Sequence, residues 1–562
     1  MFVREKPING YTYLYLVETV REDGRAKQRI IRNLGRKEVV VTSGGLERLA
    51  SSVARYAERA VVLSQLEGGN PGQLACRRIG APRLFGRLWE QTGCQAVIED
   101  LLAGRGFEFA VERAVFATVL HRIMVSGSDR ACEKWLADYD IPGVDGLALH
   151  HLYRAMAWLG EELPTDQQVG ATPFAPRTVK DQIEERLFER RRDLFAELSV
   201  VFMDTTSLSF TGVGGETLGE RGHSKDHRPD LMQMIVGVAI DTEGRPICSE
   251  MWPGNTADVS VLLPVIDRLR HRFAIGRVCI VADRGMISEA TLKGLEERGL
   301  EYVLGARERT DRLVRDTVLA DERVFTPLLV ERANGAGWRH ASNQLFAKEV
   351  RLEGRRYIVC RNEAEAERDR TDRQAIIAGL EQQLRKGDKS LIGNTAYRRY
   401  LRRTGQAAGA TGSAFEIDPG KLAEEAKYDG IFVLRTNARI TPLQAMLRYR
   451  ELLAVEELFR TAKALMRTRP IHHSSDAAIR GHVFCSFLAL VLRKELLRRC
   501  HAAGFRPEWG DVLRDLDRLQ AVEVAKDGQR TTLRTPATGV VGSLFKVAGV
   551  ALPPNLREAT TT

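Results

Sequence analysis

"LSVVFMDTTSLSFTG", Leu198 to Gly212, decides the fold. It opens apolar, breaks at a polar cluster and resumes with alternation, so it reads as a strand, a polar break and a second strand. Asp204 interrupts the apolar run. A carboxylate there is costly unless an arginine, a helix N-terminus or a metal compensates it. "RVCIVADRGM", Arg277 to Met286, repeats the theme: a buried strand that ends in Asp283. One such acid is commonly structural, but two in one sheet share a need for positive charge. Oxygen ligands of this kind suit Mg2+ or Mn2+ rather than zinc. Two such ions can activate water and stabilise a leaving oxygen in phosphodiester chemistry.

Outward from these strands the pattern is regular. "LMQMIVGVAIDTEGRPICSEMWPGN" is a hairpin turning at Asp241 to Gly244, and Ala257 to Phe273 is an amphipathic helix. "SEATLKGLEERG" is a helix capped by Ser288, and "LEYVLGAR" is a strand. The order β-β-β-α-β-α-β predicts an α/β domain with a mixed sheet flanked by helices. From Glu308 to Lys427 the pattern loosens, which predicts an insertion; "YDGIFVLRTN", Tyr428 to Asn437, then restores a buried strand.

"RYRELLAVEELFRTAKALMRTRP", Arg448 to Pro470, reads as one helix with adjacent glutamates at its centre. Residues three, four and seven apart share a helix face, so Glu456 aligns with Tyr449, Arg460 and Lys463. Glu457 is turned about 100° away, toward solvent or a salt bridge with Arg460 or Lys463. Leu452, Val455 and Phe459 form the apolar stripe, and Glu456 borders it. Glu456 is therefore the expected third ligand.

Two strand-end aspartates and a helical glutamate on this core resemble the RNase H-like fold of DDE transposases. One insertion-sequence branch, the IS-four type, carries a signature of Tyr, two residues, Arg, three residues, Glu, six residues, Lys. Tyr449, Glu456 and Lys463 stand at those spacings, while Leu452 replaces the Arg. "GHSKDHRPDLMQ", "PGNTAD" and "IRGHVFCSFLALVL" also resemble that branch. The resemblance implies a transposase that binds terminal inverted repeats in double-stranded DNA. It implies hydrolysis that exposes a 3′-OH and transfer of that end into target DNA. Asp204, Asp283 and Glu456 would hold two Mg2+ ions, with Mn2+ as a substitute, and the protein would act as a dimer assembled on DNA. The insertion would contact the transposon end, and Arg460 and Lys463, with a hydrogen bond from Tyr449, would meet DNA phosphate.

The expected divisions are a β-rich segment over 1–45, a helical DNA-binding region over 46–196, core over 197–307, insertion over 308–427, core over 428–510 and a C-terminal region over 511–562. "YTYLYLVETVREDGRAKQRIIRNLG" opens the chain as a hairpin turning at Asp23-Gly24. "ACEKWLADYDI" and "HHLYRAMAWLGEEL" are helical, and the tail after Leu552 looks frayed. With 562 residues, three or four domains are expected. A net charge of +10 points to a polyanionic partner. Eight cysteines without a C-x-x-C pair read as mostly buried free thiols in a reducing cytoplasm, near the nucleoid of a bacterium or archaeon if the resemblance holds. No signal-peptide core opens the chain, and Val483 to Leu492 reads as a buried helix.

Other readings have their own signatures. A haloacid-dehalogenase-type phosphatase needs a second Asp where Thr206 stands. A stand-alone RNase H-like nuclease would not need the helical region and the basic helix. A transposase-derived DNA-binding protein would not need all three carboxylates. His223 and His227, like His472 and His473, invite a metal reading; Pro229 makes the first pair part of a loop, with Lys225 and Arg228 as phosphate contacts. Trp252 and Trp338 are candidates to stack on an unpaired base, against the plainer reading of core or surface tryptophans.

Overall fold

A computed structural model of the chain describes residues 2–8, 10–22, 25–42, 73–171, 175–191, 200–226, 228–273, 278–328, 345–385, 397, 399–403, 415–465, 468–526 and 529–560. The first strand of the core, β1 (Val200–Ser209), runs straight through the polar cluster. The expected break does not occur: Thr205, Thr206 and Ser207 pair with Gly237, Val236 and Ile235 of β2 (Gln233–Ile240). Threonine is β-branched and suits a strand. Its hydroxyl is also satisfied, since Thr205 Oγ1 donates to Asp258 at 2.8 Å.

β3 (Pro246–Pro253) completes an antiparallel trio with β1 and β2. Helix α1 (Asp258–Phe273) leads to β4 (Cys279–Ala282), and helix α2 (Glu289–Glu297), capped by Ser288, leads to β5 (Glu301–Gly305). β4 is parallel to both β1 and β5. The order β3-β2-β1-β4-β5, with helices between the later strands, is the RNase H-like arrangement. Met203, Ile280, Ala282 and Leu304 of the sheet bury against Leu262, Val265 and Ile266 of α1 and Leu292 and Leu295 of α2. Each of the larger side chains contributes roughly 1.5–3 kcal/mol by leaving water.

Strands from the loosely patterned stretch extend this same sheet. β6 (Thr326–Pro327), β7 (Leu345–Leu352) and β8 (Arg355–Asn362) lie antiparallel beyond β9 (Ile431–Thr436), which pairs with β5. Helix α3 (Glu363–Arg385) and a ribbon of Leu401–Arg403 with Phe415–Ile417 follow β8 in sequence.

After β9 come α4 (Pro442–Glu451), α5 (Leu453–Arg460) and α6 (Asp476–Ala502). α6 contains Val483–Leu492 and is buried along most of its length. Helices Val111–Met124 and Leu149–Leu159 pack on it. A Cβ on Gly481 would stand 1.9 Å from the Met156 carbonyl, so the "IRGH" glycine permits backbone-to-backbone contact there. Residues 81–508 with 543–550 make one compact unit.

The other unit comprises residues 1–80, 509–542 and 551–562. It holds a three-stranded sheet of Phe2–Ile8, Tyr11–Glu22 and Arg25–Arg36, in which Glu22 pairs with Arg25. The expected turn at Asp23-Gly24 lies outside the described residues. A four-stranded sheet joins Gln73–Arg78, Gln520–Lys526, Gln529–Arg534 and Leu556–Thr560. The tail after Leu552 is thus a paired strand rather than frayed, because Leu533 and the residues before it supply a ladder for Leu556 onward. All eight cysteines are free, and only Cys76 is exposed. Among the described residues no helix is long and apolar enough to cross a membrane.

Candidate active site

The last β1–β4 pair is Met203 with Ala282, and the next residue along the chain in each case is an acid, Asp204 within β1 and Asp283 just past β4. Burial pushes the Asp204 carboxyl up to about 6. Lys225 and the Thr205 amide pull it down, while the charges of Asp283 and Glu456 push it further up. Glu456 lies exposed on α5. Glu457 is exposed, the solvent-facing alternative of the expectation, and its charge is felt at Arg493 and Lys494 of α6.

One ammonium serves this end of the sheet. Lys225 Nζ donates to the Thr205 carbonyl at 2.8 Å and pairs with Asp258 at 3.1 Å, standing 4.0 Å from Asp204. Arg284, beside Asp283, is committed to Glu308 at 2.9 Å. Asp204, Asp283, Glu456 and Asp258 therefore outnumber the base that meets them. This all-carboxylate set suits a hard divalent cation. The rise of Asp204 comes first from its burial, and the Asp283 and Glu456 charges add to it.

The single helix expected over Arg448–Pro470 is divided. At Leu452 the backbone bonds shift to three-residue spacing, with Leu452 N donating to Tyr449 O at 3.1 Å and Val455 N to Leu452 O at 2.9 Å. At Thr461–Leu465 they shift to π spacing. Such irregular turns cluster at functional sites. Tyr449 is consequently not a free DNA contact in this structure: its hydroxyl donates to Asp283 Oδ1 at 2.8 Å. Burial and the Asp283 charge raise its pKa, so it stays a donor.

The expected phosphate contacts divide in the same way. Lys463 is half-buried and pairs with Asp226 at 3.0 Å, and Arg469 pairs with the other oxygen of Asp226. Arg228 is exposed and forms a forked pair with Asp230. Arg460 is exposed, one turn from Glu456. Trp252 is a core residue, its ring within 2.9 Å of where a Gly237 Cβ would stand, so it is unavailable to stack on a base. Trp338 and His227 lie outside the described residues.

His473 joins a trio the sequence did not disclose. Asp129, His473 and His482 hold three ligand atoms all within 4.8 Å, the only such group among the described residues, so the Asp204, Asp283 and Glu456 oxygens are more widely spread. Arg122 stands against two of the three, 2.9 Å from His482 Nδ1 and 3.4 Å from Asp129 Oδ1, while His473 Nε2 lies 3.1 Å from Asp129 Oδ2. One carboxylate is balanced by one guanidinium, and the imidazole lone pair is used. This is a charge-balanced tie between helices, not a metal seat.

Sequence reasoning missed Asp258, Asp226 and the Tyr449–Asp283 bond. A signal existed for the first two: Lys225 and Asp226 stand in "GHSKDH", and Asp258 ends "PGNTAD". The structure brings Lys225 and Asp258 together beside Asp204.

Comparison with known proteins gives two family matches. Residues 196–492, more than half of the chain, match the transposase DDE domain. Residues 3–66 match the N-terminal domain of IS1634 family transposases. No curated protein matches. Among solved structures, the piggyBac transposase synaptic complex with hairpin DNA is 11% identical, with 77% of each chain covered and a TM-score of 0.36. The Mos1 transposase paired-end complex with left transposon end is 13% identical, covering 35% of this chain and 60% of that one, with a TM-score of 0.14. Neither structural likeness is close enough to add to the family match.

Proposed function

The chain belongs to the DDE-domain transposases, and from that premise we propose that Asp204, Asp283 and Glu456 are its catalytic, metal-holding carboxylates. Enzymes of this family cut DNA at the ends of a mobile element, join a cut end to target DNA, and generally use divalent metal ions. The observation that carries the assignment is the Met203–Ala282 pairing, followed along the chain in each case by an acid, with the Glu456 charge felt at Asp204. An oxygen-only, acid-rich donor set favours Mg2+, with Mn2+ as a substitute and two ions per site. Such ions, when bound, supply Lewis acidity to the attacking and leaving oxygens of phosphodiester cleavage.

The chain's own residues supply the rest of this reading. The Thr205 amide, 2.7 Å from Asp204 Oδ1, fixes that carboxylate, and Lys225 offsets part of its charge. Arg460, Lys225 and Arg228 meet backbone phosphates of double-stranded DNA, and Lys463 stands beside them, held by Asp226. Residues 46–196 and 308–427 add contacts to the terminal repeats. The protein assembles on DNA as a homodimer, in the cytoplasm at the nucleoid. Hydrolysis at the transposon end exposes a 3′-OH, and that hydroxyl displaces an oxygen of a target phosphodiester.

The test is a purified cleavage assay on end DNA. Glu456→Gln abolishes ion-dependent nicking and leaves DNA binding within a few fold, while Glu457→Gln keeps most activity. The reverse ranking rejects the assignment. Binding by the unmodified protein with no ion-dependent nicking identifies a DNA-binding descendant of a transposase instead.

A further inference from the structure

We infer that Tyr449 is a positioning residue for Asp283, and that Gly305 is the seat that lets its hydroxyl reach. The inference rests on the reading of Asp283 as a metal ligand. Three elements meet here: Tyr449 comes from α4, Asp283 follows β4, and Gly305 ends β5. The hydroxyl donates to Asp283 Oδ1 at 2.8 Å. The other oxygen receives only a long contact, from the Gly285 amide at 3.5 Å. The phenol is thus the main constraint on the rotation of this carboxylate.

Gly305 is an independent observation. A Cβ built there would stand 2.4 Å from the Tyr449 hydroxyl and 3.1 Å from the ring carbon that bears it. Any side chain at this strand end would displace the hydroxyl. A carboxylate oxygen that accepts one hydrogen bond keeps a further lone pair. The bond therefore orients Asp283 without using up its capacity as a ligand. Outer partners of this kind hold metal ligands in place, and their loss commonly costs 10–100-fold in metal affinity. The signature tyrosine then acts on the carboxylate from within the protein rather than on DNA from its surface.

Mn2+ titration of the full-length protein without DNA, followed by calorimetry, tests this alongside end-DNA binding by gel shift. Circular dichroism confirms that each variant is folded at the temperature used. Tyr449→Phe is expected to weaken Mn2+ binding about tenfold or more, with end-DNA binding near the unmodified value. The Mn2+ concentration that half-saturates nicking rises by a similar factor. Gly305→Ala weakens Mn2+ binding in the same direction. Added to Tyr449→Phe it has a smaller effect than alone, because the hydroxyl is gone and only the approaches of 3.1 Å to the ring carbon and 3.3 Å to the Arg284 amide remain. If Gly305→Ala does not fold, Tyr449→Phe decides alone. Asp283→Asn separates the two claims. If it binds Mn2+ normally, the ligand reading of Asp283 falls. If it loses binding while Tyr449→Phe does not, the ligand stands and the positioning role is overturned. Tyr449→Phe that loses DNA binding but keeps Mn2+ binding also overturns it, in favour of a direct DNA contact.

Discussion

Two charge-rich regions lie in the same compact unit, and they are built on opposite principles. In the first, Lys180, Asp181 and Glu184 of the helix Val179–Arg191 meet Arg268 and Arg272 of α1 and Glu250 of β3. Apart from Arg272 all are buried; the Arg272 side chain is only 3% exposed, and by itself it lies 3.1 Å from Asp181, 2.7 Å from Glu184, 2.7 Å from Glu185 and 3.0 Å from Glu250. Burial by itself would raise Asp181, but Lys180, Arg272 and Arg268 outweigh it and hold that carboxyl well below its ordinary value. With Glu185 and Arg177 included, four cations answer four anions, although burial still raises Glu184. In the second, Lys225 pairs with Asp258 and stands 4.0 Å from Asp204, which burial first, and then the charges of Asp283 and Glu456, push up. Balanced burial fastens one element to another. An acid surplus leaves a site that is complete only when a cation comes from outside.

The largest effect should come from breaking the balanced region. Arg272→Met removes the guanidinium that Asp181, Glu184, Glu185 and Glu250 share, leaving buried charge uncompensated. Losing one partner of a buried ion pair costs about 3–5 kcal/mol. Urea unfolding should register a loss of that size, and Mg2+ should not restore it. If the variant is as stable as the parent, the network is not what fastens this helix to α1.

The acid surplus predicts the opposite sign. The folded-state carboxyl of Asp204 sits at about 6, above its ordinary 3.8, so the ion-free fold holds that proton more tightly than the unfolded chain does. The contribution is full below about pH 4 and is lost as pH rises through about 6. It amounts to roughly 2–3 kcal/mol. Asp204→Asn keeps an oxygen for the Thr205 amide and has no charge to bury. In ion-free buffer at pH 7.5 it should therefore melt higher than the unmodified protein, with the two converging near pH 4. Divalent ions should raise the melting temperature of the unmodified protein and leave the variant unmoved. A variant that melts lower at pH 7.5 without ions would mean that Lys225 already compensates the acids.

What the sequence disclosed divides along the same line. Asp204 and Asp283 were legible because each ends an apolar run, a local pattern. The order of strands and helices around them was legible for the same reason. The choice of Glu456 over Glu457 used only the borders of an apolar stripe. The bond from Tyr449 to Asp283 spans 166 positions, and no periodicity carries it. Leu452 is apolar and helix-forming, so nothing in its type announces the tight turn there. Thr205 to Ser207 looked like a break because a polar run gives no sign of the Lys225 and Asp258 partners that satisfy it. Lys225, Asp226 and Asp258 stood in stretches noticed for their resemblance, but their pairing needed the fold.

The smallest effect distinguishes a free cation from one already answered. The signature spacing treats Arg460 and Lys463 alike, since both follow Glu456 on one helical face. The structure does not: Arg460 is exposed, while Lys463 is half-buried with Asp226 at 3.0 Å. The π turn at Thr461–Leu465 changes the helical phase just where Lys463 falls. Burial lowers the Lys463 pKa, and Asp226 only partly restores it. A lysine in that position must give up an ion pair before it can meet a phosphate. Each phosphate neutralised by a free cation adds nearly one unit to the slope of log affinity against log salt. Arg460→Ala should therefore weaken end-DNA binding uniformly across sequences and lower that slope by about 1. Lys463→Ala should leave the slope close to that of the unmodified protein, its effect appearing instead as lost stability around Asp226. If the two variants exchange behaviours, the Lys463–Asp226 pair opens when DNA arrives, and the pairing seen without DNA does not predict which cations bind it.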